Sequence, residues 1–115
     1  MKLNPHQFAF LCDVSKLIEF IKNRGDIVTG GELKRTKEQQ AINITKELSD
    51  TMDSKHLLAL AIDLNFFIDG QLTYDVDAIR YYGEYWKALN PLNRWGGDFK
   101  MKKGKTDAGH FERNV

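Results

Sequence analysis

Cysteine is all but missing from this chain. Cys12 stands alone, so no internal disulfide can form and the fold is not built to depend on an oxidising compartment. Net charge is missing too: 17 Lys and Arg against 16 Asp and Glu leave +1, which raises no global field toward nucleic acid or an acidic partner. The one basic loop, Lys100 to Lys105, reads as solvated; a DNA-binding role wants more basic residues on a defined helix or sheet face. Long apolar runs are lacking. Nothing approaches the roughly 20 residues of a membrane span, so stable membrane insertion is not expected. The start, Met1-Lys2-Leu3-Asn4-Pro5-His6, has no apolar core of a signal peptide. The expected location is the cytoplasm in which the chain is made, and a substrate outside the membrane would require another agent to let the protein out. Structural zinc is usually closed by four Cys or His ligands. With His6 set apart at a helix start and read as surface, the remaining Cys12, His56 and His110 make no such set.

What is present fits one folded domain. Hydrophobic content of 42% is ordinary for a globular protein. A length of 115 residues predicts a single domain, 1–115, that buries roughly two thirds of its unfolded surface. Asn4-Pro5 opens a helix, with Asn as N-cap and Pro at the first helical position. Phe10, Val14, Leu17, Ile18 and Ile21 follow helical spacing, Phe8, Leu11 and Cys12 widen the stripe, and Gly25 is the stop. A largely buried helix with Cys12 as a small core residue is expected. Ile27-Val28-Thr29 predicts a strand, and Gly30-Gly31 a bulge or a close backbone approach. Thr36 to Gln39 fits a capping box, with a helix from about Lys37 to Leu48. Asp69-Gly70 signals a turn, and Thr73 or Asp75 caps a helix starting near Val76. Its inner face follows Val76, Ile79, Gly83, Trp86 and Leu89 or Asn90, and Asn90-Pro91 ends it. Tyr81, Tyr82 and Tyr85 spread around it as core and rim packing.

The stretch after Ser54-Lys55-His56 organises the rest. Leu58, Leu60, Ile62, Leu64, Phe66 and Ile68 fall on one parity; Ala59, Ala61, Asp63, Asn65, Phe67 and Asp69 fall on the other. A period of two marks a strand with one face in the core. Small residues beside Asp63 leave room above its carboxylate. His56 stands just before the strand, and a His and an Asp facing an open floor can hold a metal ion. Their offset of seven is odd, so convergence requires a turn or bulge between His56 and Ala59. A lone His-x6-Asp is weak evidence and by itself reads as a loop His and a surface Asp; the alternation, Ser54 and the distant Asp107-x-x-His110 together reverse that.

The second half of the pattern is Asp107-Ala108-Gly109-His110-Phe111-Glu112. Gly109-His110-Phe111-Glu112 reads as a last short strand, with His110 and Glu112 on one face and Phe111 toward the core. Catalytic zinc usually takes three protein ligands and a water. His56, Asp63 and His110 would supply them, leaving Asp107 to handle the proton of the water and Glu112 to orient a ligand by hydrogen bond.

Ser54-x-His56-x6-Asp63 followed by Asp107-x-x-His110-Phe111 resembles the VanY-like zinc peptidases, which include D-alanyl-D-alanine carboxypeptidases and dipeptidases and the L-alanyl-D-glutamate endopeptidase endolysins of phages. Trp95-Gly96-Gly97-Asp98-Phe99 and Arg35-Thr36-Lys37-Glu38-Gln39 resemble the same family. One departure is Ala59, where the family commonly has Gly; one added methyl on the site face is expected to be tolerated, though it could narrow the cleft.

The resemblance implies an α+β fold: a small, mainly antiparallel sheet flanked by helices, with Zn2+ on the sheet's open face. It places the Arg35 guanidinium in the active site and the Trp95 loop near the metal cleft, and it sets Ser54, Gln39, Trp95 and Glu112 around the substrate or behind the ligands. Read from the residues alone, Arg35 is either a solvated helix-start Arg or a clamp for a substrate carboxylate. Trp95 is either a cleft residue or a buried indole near two glycines. The implied partner is a peptidoglycan stem peptide cut by a monomeric phage endolysin at the L-alanyl-D-glutamate bond, with no separate wall-binding domain. Two alternatives stand beside it: a D-alanyl-D-alanine carboxypeptidase, and a non-catalytic metal-binding domain.

Overall fold

A computed structural model describes residues 2–31, 58–100 and 106–115. The expected helix from Lys37 to Leu48, Arg35, Gln39, Ser54 and His56 lie outside the described residues, as does most of the basic loop. The described elements are α1 (Asn4–Asn23), β1 (Ile27–Gly30), β2 (Ala61–Ile68), β3 (Gln71–Thr73), α2 (Val76–Leu89), β4 (Asn93–Trp95) and β5 (His110–Arg113), with a 3-10 turn over Gly96–Asp98. All pairings are antiparallel, in the order β1-β2-β5-β4, with β3 also on β2. β1 runs along one edge of β2, while β5 and β3 share the other edge end to end. This is the expected α+β architecture. No helix among the described residues is long and apolar enough to cross a membrane.

The alternation in β2 drives the layering. Leu60, Ile62, Leu64 and Phe66 are buried against the helices, and the opposite parity carries Asp63 and Asn65 onto the other face. Strand geometry begins at Ala61, not at Leu58 as the alternation suggested. The reason is Ala59, whose φ of 56° puts it in the left-handed region, so the chain turns there before it extends. The family's Gly at this position suits that backbone, because Gly adopts positive φ without a Cβ clash. Ala59 therefore belongs to a turn ahead of the strand and not to the strand itself. At the far end Asp69 and Gly70 have φ of 53° and 78°, and Ile68 pairs with Gln71. Two positive φ values across a two-residue loop make the tight hairpin turn that follows the strand twist.

α1 is one-sided. Phe10, Val14, Leu17 and Ile21 form the buried stripe, while Phe8, Leu11 and Ile18 are exposed and so is Cys12. The stripe is narrower than expected because only residues at spacings of four and three face the sheet and α2. The helix starts at Asn4 itself, with Leu3 as the N-cap. It ends as Gly25 predicts: Gly25 N–H donates to the Lys22 carbonyl, Asp26 N–H to the Ile21 carbonyl, and Gly25 has φ of 86°. His6 is half-buried and accepts from Arg113 Nε at 3.1 Å. α2 is capped by Asp75, whose carboxylate accepts from Ala78 N–H at 3.0 Å, a cap worth about 1 kcal/mol.

Aromatic rings link the layers. Phe10 meets Trp86 edge-on at 5.6 Å, Trp86 meets Phe111 at 5.9 Å, and Phe66 lies 5.9 Å from Phe111. Tyr82 is fully buried among them and donates to Asp26, while Tyr81 is exposed at the rim. The Trp86 indole N–H reaches the carbonyls of Arg94 and Glu112, each at 3.0 Å, so α2 is pinned to the β4–β5 ladder.

Two substitutions test this packing. Ala59→Gly should stabilise the protein by a few tenths to about 1 kcal/mol, the left-handed strain relieved exceeding the entropy Gly adds to the unfolded chain. A Cβ on Gly83 would sit 2.1 Å from Trp95 Cδ2. Helix propensity favours Ala over Gly by about 1 kcal/mol, yet Gly83→Ala should destabilise by about 1–3 kcal/mol through overpacking. Urea denaturation gives both signs.

Candidate metal centre

The centre is built on one register. Asp63 of β2 stands directly opposite His110 of β5, and Ala61 opposite Glu112. Cross-strand partners share a face, so the pairing places an imidazole and a carboxylate together on the sheet face away from the helices. His110 Nδ1 lies 3.1 Å from Asp63 Oδ1 and 3.9 Å from Asp107 Oδ2. On its other side Nε2 lies 2.8 Å from Glu112 Oε1. His110 and Glu112 are buried, while Asp63 and Asp107 are partly exposed.

Backbone contacts hold Asp107 near His110. His110 N–H donates to the Asp107 carbonyl at 3.0 Å, and Asp107 N–H to the Gly96 carbonyl at 3.0 Å. Leu64 N–H donates to the Gly109 carbonyl at 2.8 Å, tying the turn to β2. Gly96 allows this closeness: a Cβ there would lie 2.0 Å from the Asp107 carbonyl oxygen and 2.8 Å from His110 Cβ. Gly31 does the same on the other flank, its N–H donating to the Asp63 carbonyl at 2.7 Å where a Cβ would meet that oxygen. The close approach expected at Gly30-Gly31 thus falls on Gly31, beside a site residue, and Gly30 pairs regularly with Leu64.

Trp95 is fully buried. Its indole N–H donates to the Ala108 carbonyl at 2.8 Å, and Gly83 and Gly97 pack against its ring. The indole offers no face to a substrate; it braces the turn between Asp107 and His110 from behind. The residue that reaches the imidazole is Phe99, 5.6 Å from the His110 ring. Arg94 also stands here, opposite Glu112, with Nε 3.2 Å from Glu112 Oε2. Arg94 was not singled out in the sequence, and Phe99, the last residue of the Trp95-Gly96-Gly97-Asp98-Phe99 motif, was given no role of its own.

Asp63, Asp107 and His110 each offer a ligand atom within 4.8 Å of the others. Carboxylate oxygens and an imidazole nitrogen suit zinc. Glu112 at Nε2 leaves Nδ1 to face the two aspartates, the arrangement that orients a metal-ligating His. The donor set therefore fits a metal. Burial opposes charge on His110, but the hydrogen bonds to Asp63 and Glu112 and the charges of Asp63 and Asp107 outweigh it. The pKa of His110 rises from 6.5 to about 9, so the metal-free ring carries a proton at neutral pH.

Comparison with known proteins gives a family and a fold. A family model described as D-alanyl-D-alanine carboxypeptidase matches residues 47–113. The chain is 36% identical over 102 residues to the L-alanyl-D-glutamate peptidase of Listeria phage A118; the match covers 86% of this chain and 34% of the relative. The chain thus spans about a third of the length of that relative. Its fold is similar to that of the L-Ala D-Glu endopeptidase ChiX of Serratia marcescens, with a TM-score of 0.62 at 22% identity, covering 76% of this chain and 66% of that one.

The raised His110 pKa predicts how the metal-free protein responds to pH. Its folded value of about 9 lies above the ordinary 6.5. The charged ring therefore stabilises the fold fully below pH 6.5 and ceases to do so as pH rises through about 9. Urea melts of chelator-treated protein should show stability falling across that window. A flat profile would contradict the pairing of His110 with Asp63 and Glu112.

Proposed function

The chain belongs to the D-alanyl-D-alanine carboxypeptidase family of peptidases, and from that premise we propose that it is a zinc-dependent peptidoglycan peptidase cutting the L-alanyl-D-glutamate bond of the stem peptide. The observation that carries the reading is the convergence of Asp63, Asp107 and His110 with Glu112 behind the imidazole. The phage relative's name supports the choice of bond. In this reading Asp63 and His110 hold the zinc together with His56, and the protein acts in host lysis as an endolysin, made in the host cytoplasm and reaching the wall on release.

Zinc, when bound, lowers the pKa of a water from 15.7 to about 7 and polarises the scissile carbonyl. The chain's own groups do the rest. Asp63 and His110 orient the donor atoms, and Glu112 accepts the Nε2 proton so that the Nδ1 lone pair points at the aspartates. Asp107, the more exposed aspartate, takes the proton of the attacking water at a carboxylate oxygen and passes it to the nitrogen of the leaving amine. Arg35 supplies positive charge for the developing oxyanion or for a substrate carboxylate.

A second reading has its own support. The family description names D-alanyl-D-alanine carboxypeptidases, and the same zinc, water and Asp107 could hydrolyse that terminal amide. Intact sacculi offered beside a short peptide ending in D-alanyl-D-alanine separate the two. Stem peptides with a new N-terminal D-glutamate are expected; free D-alanine as the main product would favour the carboxypeptidase.

Asp107 lies within ligand distance of the other two groups, so its role as base requires a test of its own. Asp107→Asn should keep its zinc and lose turnover by about a hundredfold or more. Loss of the zinc instead would make Asp107 a ligand, and near-normal turnover would remove it from the chemistry.

A further inference from the structure

Arg94 sits at the middle of β4, directly across from Glu112 on β5. Its Nε lies 3.2 Å from Glu112 Oε2, while Oε1 of the same carboxylate lies 2.8 Å from His110 Nε2. Glu112 is buried; Arg94 is half-exposed. Oε2 has no hydrogen bond among the described residues, so the Arg94 contact is an ion pair and not an aligned hydrogen bond. Besides His110, Arg94 is the cation that reaches this carboxylate among the described residues. The guanidinium also lies 5.0 Å from the centre of the Phe99 ring, and Phe99 lies 5.6 Å from the His110 ring. Arg94 is thus fixed on two sides, by a carboxylate and by an aromatic face that both touch the imidazole.

We propose that Arg94 is a positioning residue of the metal centre, acting through Glu112. A buried carboxylate oxygen without a hydrogen bond is costly unless a countercharge stands beside it. Arg94 supplies that charge and holds Glu112 with Oε1 toward Nε2. Without it, Glu112 gains by turning Oε2 toward solvent, which draws Oε1 from the ring and releases the imidazole orientation that aims Nδ1 at Asp63 and Asp107. The cation–π contact with Phe99 and the Nε contact with Glu112 together set the direction of the fork, which Lys cannot reproduce. Arg94 touches neither metal nor substrate in this account. The inference rests on the zinc reading above for the identity of the metal.

The test is the dissociation constant for zinc alone, measured by competition with a chelator, in wild type, Arg94→Ala, Arg94→Lys, Glu112→Gln and the Arg94→Ala/Glu112→Gln double variant, each checked for folding by its melting curve. Losing an outer partner of a ligating His typically weakens metal binding 10–100-fold. Arg94→Ala should fall near the low end, about tenfold, with Arg94→Lys recovering part of the loss. In the Glu112→Gln background, Arg94→Ala should add less than about twofold, because Arg94 works through that carboxylate. Zinc affinity unchanged in Arg94→Ala overturns the proposal, whatever its melting temperature. So does a loss of the same size in both backgrounds. Sacculus digestion reports separately on the peptidase reading, since the affinity ratio holds whichever bond is cut. A wild-type protein that takes up no zinc overturns both.

Discussion

The antiparallel pairing of β2 with β5 is the constraint on which the rest depends. It sets Asp63 opposite His110 and Ala61 opposite Glu112. A slip of one residue would turn every side chain of a strand to the other face, sending His110 into the apolar layer and Phe111 out of it. Two features oppose such a slip. Phe111 and Ile62, paired across the same ladder, face the core. On the flanks, Gly109 and Gly31 approach the Leu64 and Asp63 carbonyls more closely than any Cβ would permit. The helices contribute from behind, since the Trp86 indole clamps the Arg94 and Glu112 carbonyls and so fixes β4 against β5.

The same register concentrates negative charge. Asp63, Asp107 and Glu112 all approach one buried imidazole. Carboxylates gathered around a buried group are costly unless a positive charge sits among them. In the metal-free protein that charge is the extra proton on His110, which is why its pKa climbs to about 9 despite burial. A divalent ion meets the same need more strongly, and its binding releases that proton. Stability and metal affinity are therefore two consequences of one arrangement.

Much of this was legible in the chain. The alternation from Leu58 to Ile68, the Asp69-Gly70 turn, the Asp75 cap and the Gly25 stop are local signals; the turn, the cap and the stop formed where their signals lay, and the strand formed from Ala61 onward. The motif residues Asp63, Asp107 and His110 stood out by spacing and came together. Other expectations failed for a common reason. Cys12 and Ile18 share helical periodicity with the core stripe yet face solvent. Periodicity gives the angle between residues on a helix but not which neighbour each will meet. Ala59 looked like part of the strand because alternation counts residues and is blind to the sign of φ.

The sequence by itself determined which segments extend or coil and which residues carry donor chemistry, because those depend on side-chain type and on neighbours a few positions away. It pointed to Trp95 without saying which way the indole turns. Only the tertiary structure decided that this ring lies behind the turn, on the Ala108 carbonyl, and that Arg94 and Phe99 border the imidazole in front. Arg94 and Glu112 are 18 residues apart in the chain and meet only because β4 and β5 pair in one register. Contacts of that kind are fixed by strand pairing and by the packing of α2 across both strands, which no local pattern of residues encodes.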